Sequence, residues 1–220
     1  MESRELAKNV FLVRLRTKRE LAYTFVRFQE HYESPRFRGK VFSMKEYMDW
    51  YVRESPKGKK TGKFTYNLDW SGFNIPSYIL EPFYKGRFNP LSSRERALLK
   101  LFKDRRKKRF YVIGIFKRGK LSILKHEIAH GLFYTNKEYR KEVLRALRSV
   151  KKRHLRELEK YLMSFQAYHR DTWMDETHAY LLADLPHLKR KGVETKNLKG
   201  LSAELNSIFR KYAANITVTK

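Results

Sequence analysis

The sequence predicts an α+β fold, mostly helical, with a small mixed or antiparallel sheet. Three observations predict it. Apolar residues recur at helical spacing along most of the chain, as at Tyr139, Val143, Leu147 and Val150. Two short runs read as strands, the alternating Lys63–Trp70 and the apolar Phe110–Phe116. Hydrophobic residues make up 41% of the 220, and aromatic ones 15%, which is enough for one sizeable core with an appended lobe.

The expected lobe spans 1–90, and the main core 91–220. Glu5 to Tyr32 reads as one or two helices, with Leu6, Val10, Val13, Leu21, Phe25 and Phe28 in rough helical spacing, and Ser34-Pro35 breaks it. Ser43 is an N-cap, with Glu46 three residues on as its capping-box partner. Ser55 to Gly62 is a basic, turn-rich loop before the strand at Lys63–Trp70. Trp70 to Tyr84 is aromatic and broken by Gly and Pro, hence a loop that must still bury apolar groups. It packs either into the small lobe or over a cleft.

In the main core, Ser92 or Ser93 caps a helix that runs from Arg94 to about Asp104. Arg105–Arg109 is a basic patch and Phe110–Phe116 a strand. Helices follow over about 121–134, 137–166, 173–184 and 202–213. Asp171 or Thr172 caps the third, and Pro186 closes it.

Composition narrows the chemistry. With no cysteine, disulfides and thiolate metal sites are excluded, and any metal must take His and carboxylate ligands. No apolar stretch approaches a membrane span, and the first residues lack a signal core. The expectation is a cytoplasmic protein. Fifty Lys and Arg against 23 Asp and Glu give a net charge of +27. Such a surface attracts polyanions, so a nucleic-acid-binding protein is the alternative functional class.

The string Leu124-Lys-His-Glu-Ile-Ala-His-Gly-Leu-Phe133 carries the sharpest chemistry. On a helix, His126 and His130 lie four apart on one face and can grip one Zn²⁺. Glu127 is turned partly away, where it can act as general base toward water. Chance gives about 0.02 matches to this pattern in a chain of this composition. The flanking Ile123, Leu124, Ile128, Leu132 and Phe133 mark the helix as buried, a costly place for this trio without a partner.

A catalytic zinc needs a third protein ligand. Trp173–Asp184 offers Glu176 and His178, which point about 200° apart on a helix and cannot share one metal. Glu176 is preferred, because Ala179 on its face is small enough to let the two helices approach. His178 is the alternative. Asp175 either supports a ligand from behind or simply favours the first helical turn.

His126-Glu127-x-x-His130 followed by Glu176-x-x-Ala179 resembles the gluzincin class of zinc metallopeptidases, over roughly 110–184. The resemblance implies His126, His130 and Glu176 as zinc ligands and Glu127 as base and proton shuttle, with a peptide or protein substrate. It also implies an edge strand just before the helix, here Tyr111, Val112, Ile113, Gly114, Ile115 and Phe116, on which substrate backbone pairs. The sequence departs from the family where many members carry an Asp four residues after the glutamate ligand. Tyr180 stands there, a weaker acceptor for an imidazole N–H. Tyr168 and His169 are the candidates for oxyanion stabilisation. The 1–90 lobe would form a cleft wall or a blocking segment.

Overall fold

The computed structural model describes residues 1–70, 72–116, 121–164, 172–214 and 216. Four strands form one mixed sheet: β1 (Ser3–Ala7), β2 (Val10–Leu15), β3 (Gly72–Pro76) and β4 (Tyr111–Phe116), in the order β1-β2-β4-β3. β1 and β2 are an antiparallel hairpin, β2 and β4 run parallel, and β3 is antiparallel to β4. Around the sheet stand α1 (Lys18–Glu33), α2 (Met44–Glu54), α3 (Pro56–Thr61), α4 (Glu81–Tyr84) and α5 (Ser93–Leu101). The chain continues through α6 (Leu121–Thr135), α7 (Lys137–Ser149), α8 (Lys152–Ser164), α9 (Trp173–Ala183), α10 (Leu185–Arg190) and α11 (Lys199–Ala213). The α+β class, mostly helical with a small mixed sheet, is as expected.

The opening segment differs from its expected helix. Asn9 turns the chain with φ 64°, a left-handed conformation that Asn tolerates, and Val10–Leu15 then pairs on both sides. All of β2 except Arg14 is buried. A strand covered on both faces loses its alternation, and its apolar run then satisfies a helical template equally well.

Caps explain much of the rest. Ser43 with Glu46 and Ser92 with Glu95 form complete capping boxes that start α2 and α5. Ser55 and Pro56 start α3 within the expected loop, and Gly62 stops it with φ 64°. The expected strand at Lys63–Trp70 is instead a 3-10 turn at Tyr66–Leu68. Tyr66 is buried there, and its hydroxyl donates to Glu30 Oε1 at 2.6 Å. The expected loop after Trp70 contains β3. The expected single helix over 137–166 breaks into α7 and α8 at Val150, and Pro186 opens α10 rather than merely closing α9.

The sheet separates two hydrophobic cores by strand parity. Val10, Leu12, Tyr111, Ile113 and Ile115 face α6, α7, α8, α9 and α11. Phe11, Val13, Leu15, Phe73, Ile75 and Val112 face α1, α2 and α5. The boundary expected at residue 90 is therefore crossed: β1, β2 and β3 precede it, β4 follows it, and α5 packs with the first helices through Leu98 and Leu99. The chain is layered by face of the sheet, not cut at one point. A second correction concerns β4. Tyr111–Phe116 is hydrogen-bonded on both sides, by β2 and β3, so it is an interior strand and offers no free edge. The edge strand beside α6 is β3.

Candidate metal centre

α6 and α9 pack against each other, and the motif residues meet at their crossing. Close approach of α6 to the sheet depends on Gly131, where a Cβ would come within 2.7 Å of Val10 Cγ1. Ala179, fully buried on α9, is part of the same core. His126, His130 and Glu176 come together with their nearest ligand atoms all within 4.8 Å of one another. The imidazole Nε2 atoms are 3.1 Å apart. His126 Nε2 lies 3.8 Å from Glu176 Oε2, and His130 Nε2 lies 3.6 Å from Glu176 Oε1. Tetrahedral zinc with bonds of about 2.0–2.1 Å separates its ligand atoms by roughly 3.3 Å, so the triad fits that ion.

The electrostatics point the same way. Glu176 Oε2 is buried with no hydrogen-bond partner among the described residues. Burial, then the nearby carboxylates Glu33, Asp175 and Glu127, push Glu176 well above the usual carboxylate range. Burial lowers His130 to about 3 and, with His130 as a like-charge neighbour, lowers His126 well below its ordinary value. Neutral imidazoles are what a metal requires, and a buried carboxylate without a partner is what a cation relieves. His130 and Glu176 are 1% and 2% exposed by side chain. His126, at 17%, is the member of the triad open to solvent.

Glu127 sits apart from the triad. Its Oε2 accepts a hydrogen bond at 2.8 Å from Nδ2 of Asn74 on β3. Asn74 Oδ1 in turn accepts from the Tyr111 hydroxyl, and the Asn74 backbone N–H donates to Gln29 Oε1 at 3.2 Å. Burial raises Glu127 to about 7, against the lowering bond from Asn74. A carboxylate poised there is suited to take and return a proton near neutrality.

The surrounding residues sort as follows. Asp175 Oδ1 stands 2.9 Å from His130 Nδ1, at ion-pair distance without the alignment of a hydrogen bond, and 3.4 Å from His178 Nδ1. It stands on the far side of the His130 ring from Glu176, one residue before it in the chain. Tyr180 sets its ring edge-on to His126, centroids 4.8 Å apart. His178 faces elsewhere, stacked on Phe133 at 4.9 Å, and does not join the triad. Tyr168 and His169 lie outside the described residues.

A cavity of about 560 Å³ leads to the triad and is lined by His126, Glu127, Glu176, Trp70, Gly72 and Asn74, with α1 and α2 opposite. The Trp70–Tyr84 segment thus does both jobs weighed for it. Trp70 and Asn74 reach the cleft, while Ile75, Ile79 and Leu80 fill the core. Asn74, Gln29 and Glu33 carry no motif, and only the fold brings them here. Of the Arg105–Arg109 patch, Arg105 lies over Phe11, Arg106 pairs with Glu81 through two hydrogen bonds, and Arg109 donates to the Tyr134 carbonyl at 3.0 Å.

Among the described residues no helix is long and apolar enough to cross a membrane. Compared with protein-family models, curated proteins and solved structures, the chain gives no match.

Proposed function

We propose that the chain is a zinc-dependent peptidase, with His126, His130 and Glu176 as the metal ligands and Glu127 as general base. The observation that carries this reading is the meeting of three buried ligand groups at zinc spacing, with a separate, hydrogen-bonded carboxylate on the same helix turn. Zinc held there supplies a Lewis acid that polarises the scissile carbonyl and acidifies water.

The chain's own residues supply the rest. Glu127 takes a proton from the attacking water and passes it to the leaving amine. Asn74 holds one carboxylate oxygen of Glu127 and leaves the other for that exchange. Asp175 Oδ1, 2.9 Å from His130 Nδ1, is placed to accept the imidazole N–H and steady the ring after a small turn of either side chain. Substrate enters by the cleft between β3 and α1, where the β3 edge, and not β4, is in position to meet its backbone.

The test is zinc content by elemental analysis, then proteolysis of a mixed peptide library by wild type and Glu127→Gln. One zinc per chain, with activity reduced by at least a hundredfold in the variant, is expected. A well-folded chain that takes up no zinc, or activity that survives the substitution, refutes the proposal.

A further inference from the structure

We propose that the cleft receives a positively charged group of the substrate, an ammonium or guanidinium, on Glu33. This deepens the peptidase reading and, as a statement about cleavage, rests on it.

Glu33 ends α1 and lines the same cavity as Glu127 and Glu176, yet it is no part of the ligand triad. It is 8% exposed, and it accepts a hydrogen bond from one neutral group, Gln29 Nε2, at 2.5 Å. No Lys, Arg or His among the described residues forms an ion pair with it. The charged groups that act on it most are other carboxylates: Glu127, Asp175 and Glu30. Glu176 Oε2, in the same cavity, is a buried oxygen without a hydrogen-bond partner among the described residues.

Glu30 and Glu33 bring the α1 side of this cavity two carboxyl groups apart from the ligand triad, in a chain where Lys and Arg outnumber Asp and Glu by 50 to 23. A buried carboxyl that no internal cation pairs is costly to ionise, and a cationic ligand favours its charged form. Trp50 and Trp70 also line the cavity and can flank an alkyl stem or face a cation. Two cations also line this cavity: Lys57 is paired with Asp69 at 2.6 Å, and Arg36 is exposed. At physiological ionic strength the Debye length is about 8 Å, so exposed charges are screened more than the buried Glu33.

A free amino terminus and a basic side chain both supply this charge, and the experiment separates them. Four matched peptides are used, with Lys or norleucine at the variable position, each with a free or an acetylated amino terminus. Binding to the zinc-loaded full chain is measured by calorimetry, and cleavage as kcat/KM. At least tenfold tighter binding and faster cleavage of the charged member are expected, with the ratio falling toward one in Glu33→Gln at unchanged zinc content. Loss of the preference on acetylation assigns the terminal ammonium, and loss on the norleucine exchange assigns the side chain. Equal binding of all four peptides, or a preference that survives Glu33→Gln, overturns the proposal. Charge-selective binding that depends on Glu33 but leads to no cleavage supports the cationic site and instead sinks the peptidase reading.

Discussion

Gly72 gives the most direct test of how the base is held. A Cβ built there would lie 2.5 Å from Glu127 Oε1 and 2.9 Å from Ile123 Cγ2. Comfortable contact for such atoms begins at about 3.5 Å, so Gly72→Ala demands roughly 1 Å of movement. The strand cannot easily supply it, because β3 is registered against β4 from Gly72↔Ile115 to Pro76↔Tyr111. The flexible party is the Glu127 carboxylate, whose other oxygen is tied to Asn74 at 2.8 Å on the same strand. Displacing a reacting group by about 1 Å costs on the order of a hundredfold in rate, about 2.7 kcal/mol of barrier. The backbone of Gly72 is not left-handed, so the methyl adds no conformational strain of its own. The nearest neighbours of that Cβ include none of the three ligands, so zinc content should stay at the wild-type value. The assay is kcat and KM on one peptide, with zinc measured on the same samples. A hundredfold fall in kcat at full zinc loading is expected. A variant with full zinc and wild-type kcat would refute the placement of Glu127 by β3.

Other perturbations address the groups behind the site. Asn74→Leu removes the donor to Glu127 and the acceptor of the buried Tyr111 hydroxyl. We expect kcat lowered roughly 10- to 100-fold and stability in urea lowered by about 1–3 kcal/mol, at unchanged zinc content. Asp175→Asn should weaken zinc affinity by roughly 10- to 100-fold in competition with a chelator, since it steadies His130. The metal-free protein should lose thermal stability as pH rises from 6.5 to 8. Burial lifts Glu127 and Asp175 to about 7, from ordinary values of 4.5 and 3.8. Groups raised on folding favour the fold at low pH and cease to do so as pH climbs through the folded value. The lowered histidines act oppositely, but their contribution is half made at the unfolded value of 6.5 and nearly complete by about pH 7.5, so the decline is clearest above 7. Thermal unfolding with and without chelator checks this: the decline should appear in the chelated protein and flatten with zinc. A chelated protein whose melting temperature rises over that interval contradicts it.

The site was legible where chemistry is local and obscure where it is tertiary. His126, Glu127 and His130 share one helix turn, so spacing alone places them, and Ala179 gave a packing reason to prefer Glu176 over His178. The structure sends those two residues to different faces of α9, as a separation of about 200° requires. Asn74 was not legible, because 53 residues separate it from Glu127 and no motif links them. The interior place of β4 has a signal in its composition. Tyr-Val-Ile-Gly-Ile-Phe has no polar face, and a strand without one is covered on both sides. The same property hid β2 as a helix. Lys63–Trp70 failed for the opposite reason: its alternating aromatics bury individually, with Tyr66 against Glu30, and form no ladder.

The treatment of buried carboxylates separates scaffold from site. Glu95 is buried on α5, and Arg27 on α1 meets it with two hydrogen bonds of 2.7 Å while also donating to the carbonyls of Phe88 and Pro90. That carboxylate is satisfied within the chain, and removing Arg27 alone should destabilise by about 3–5 kcal/mol. Glu176 is buried as deeply, yet among the described residues no Lys or Arg pairs with it. Its neighbours are imidazoles held neutral and further carboxylates. Among the described residues, a fold that pairs Glu95 so completely leaves Glu176 without a Lys or Arg. An unpaired buried carboxylate lowers stability and adds nothing to packing that an apolar residue would not add better. Its retention beside two neutral imidazoles makes sense if a cation arrives from outside, and the donor separations match zinc.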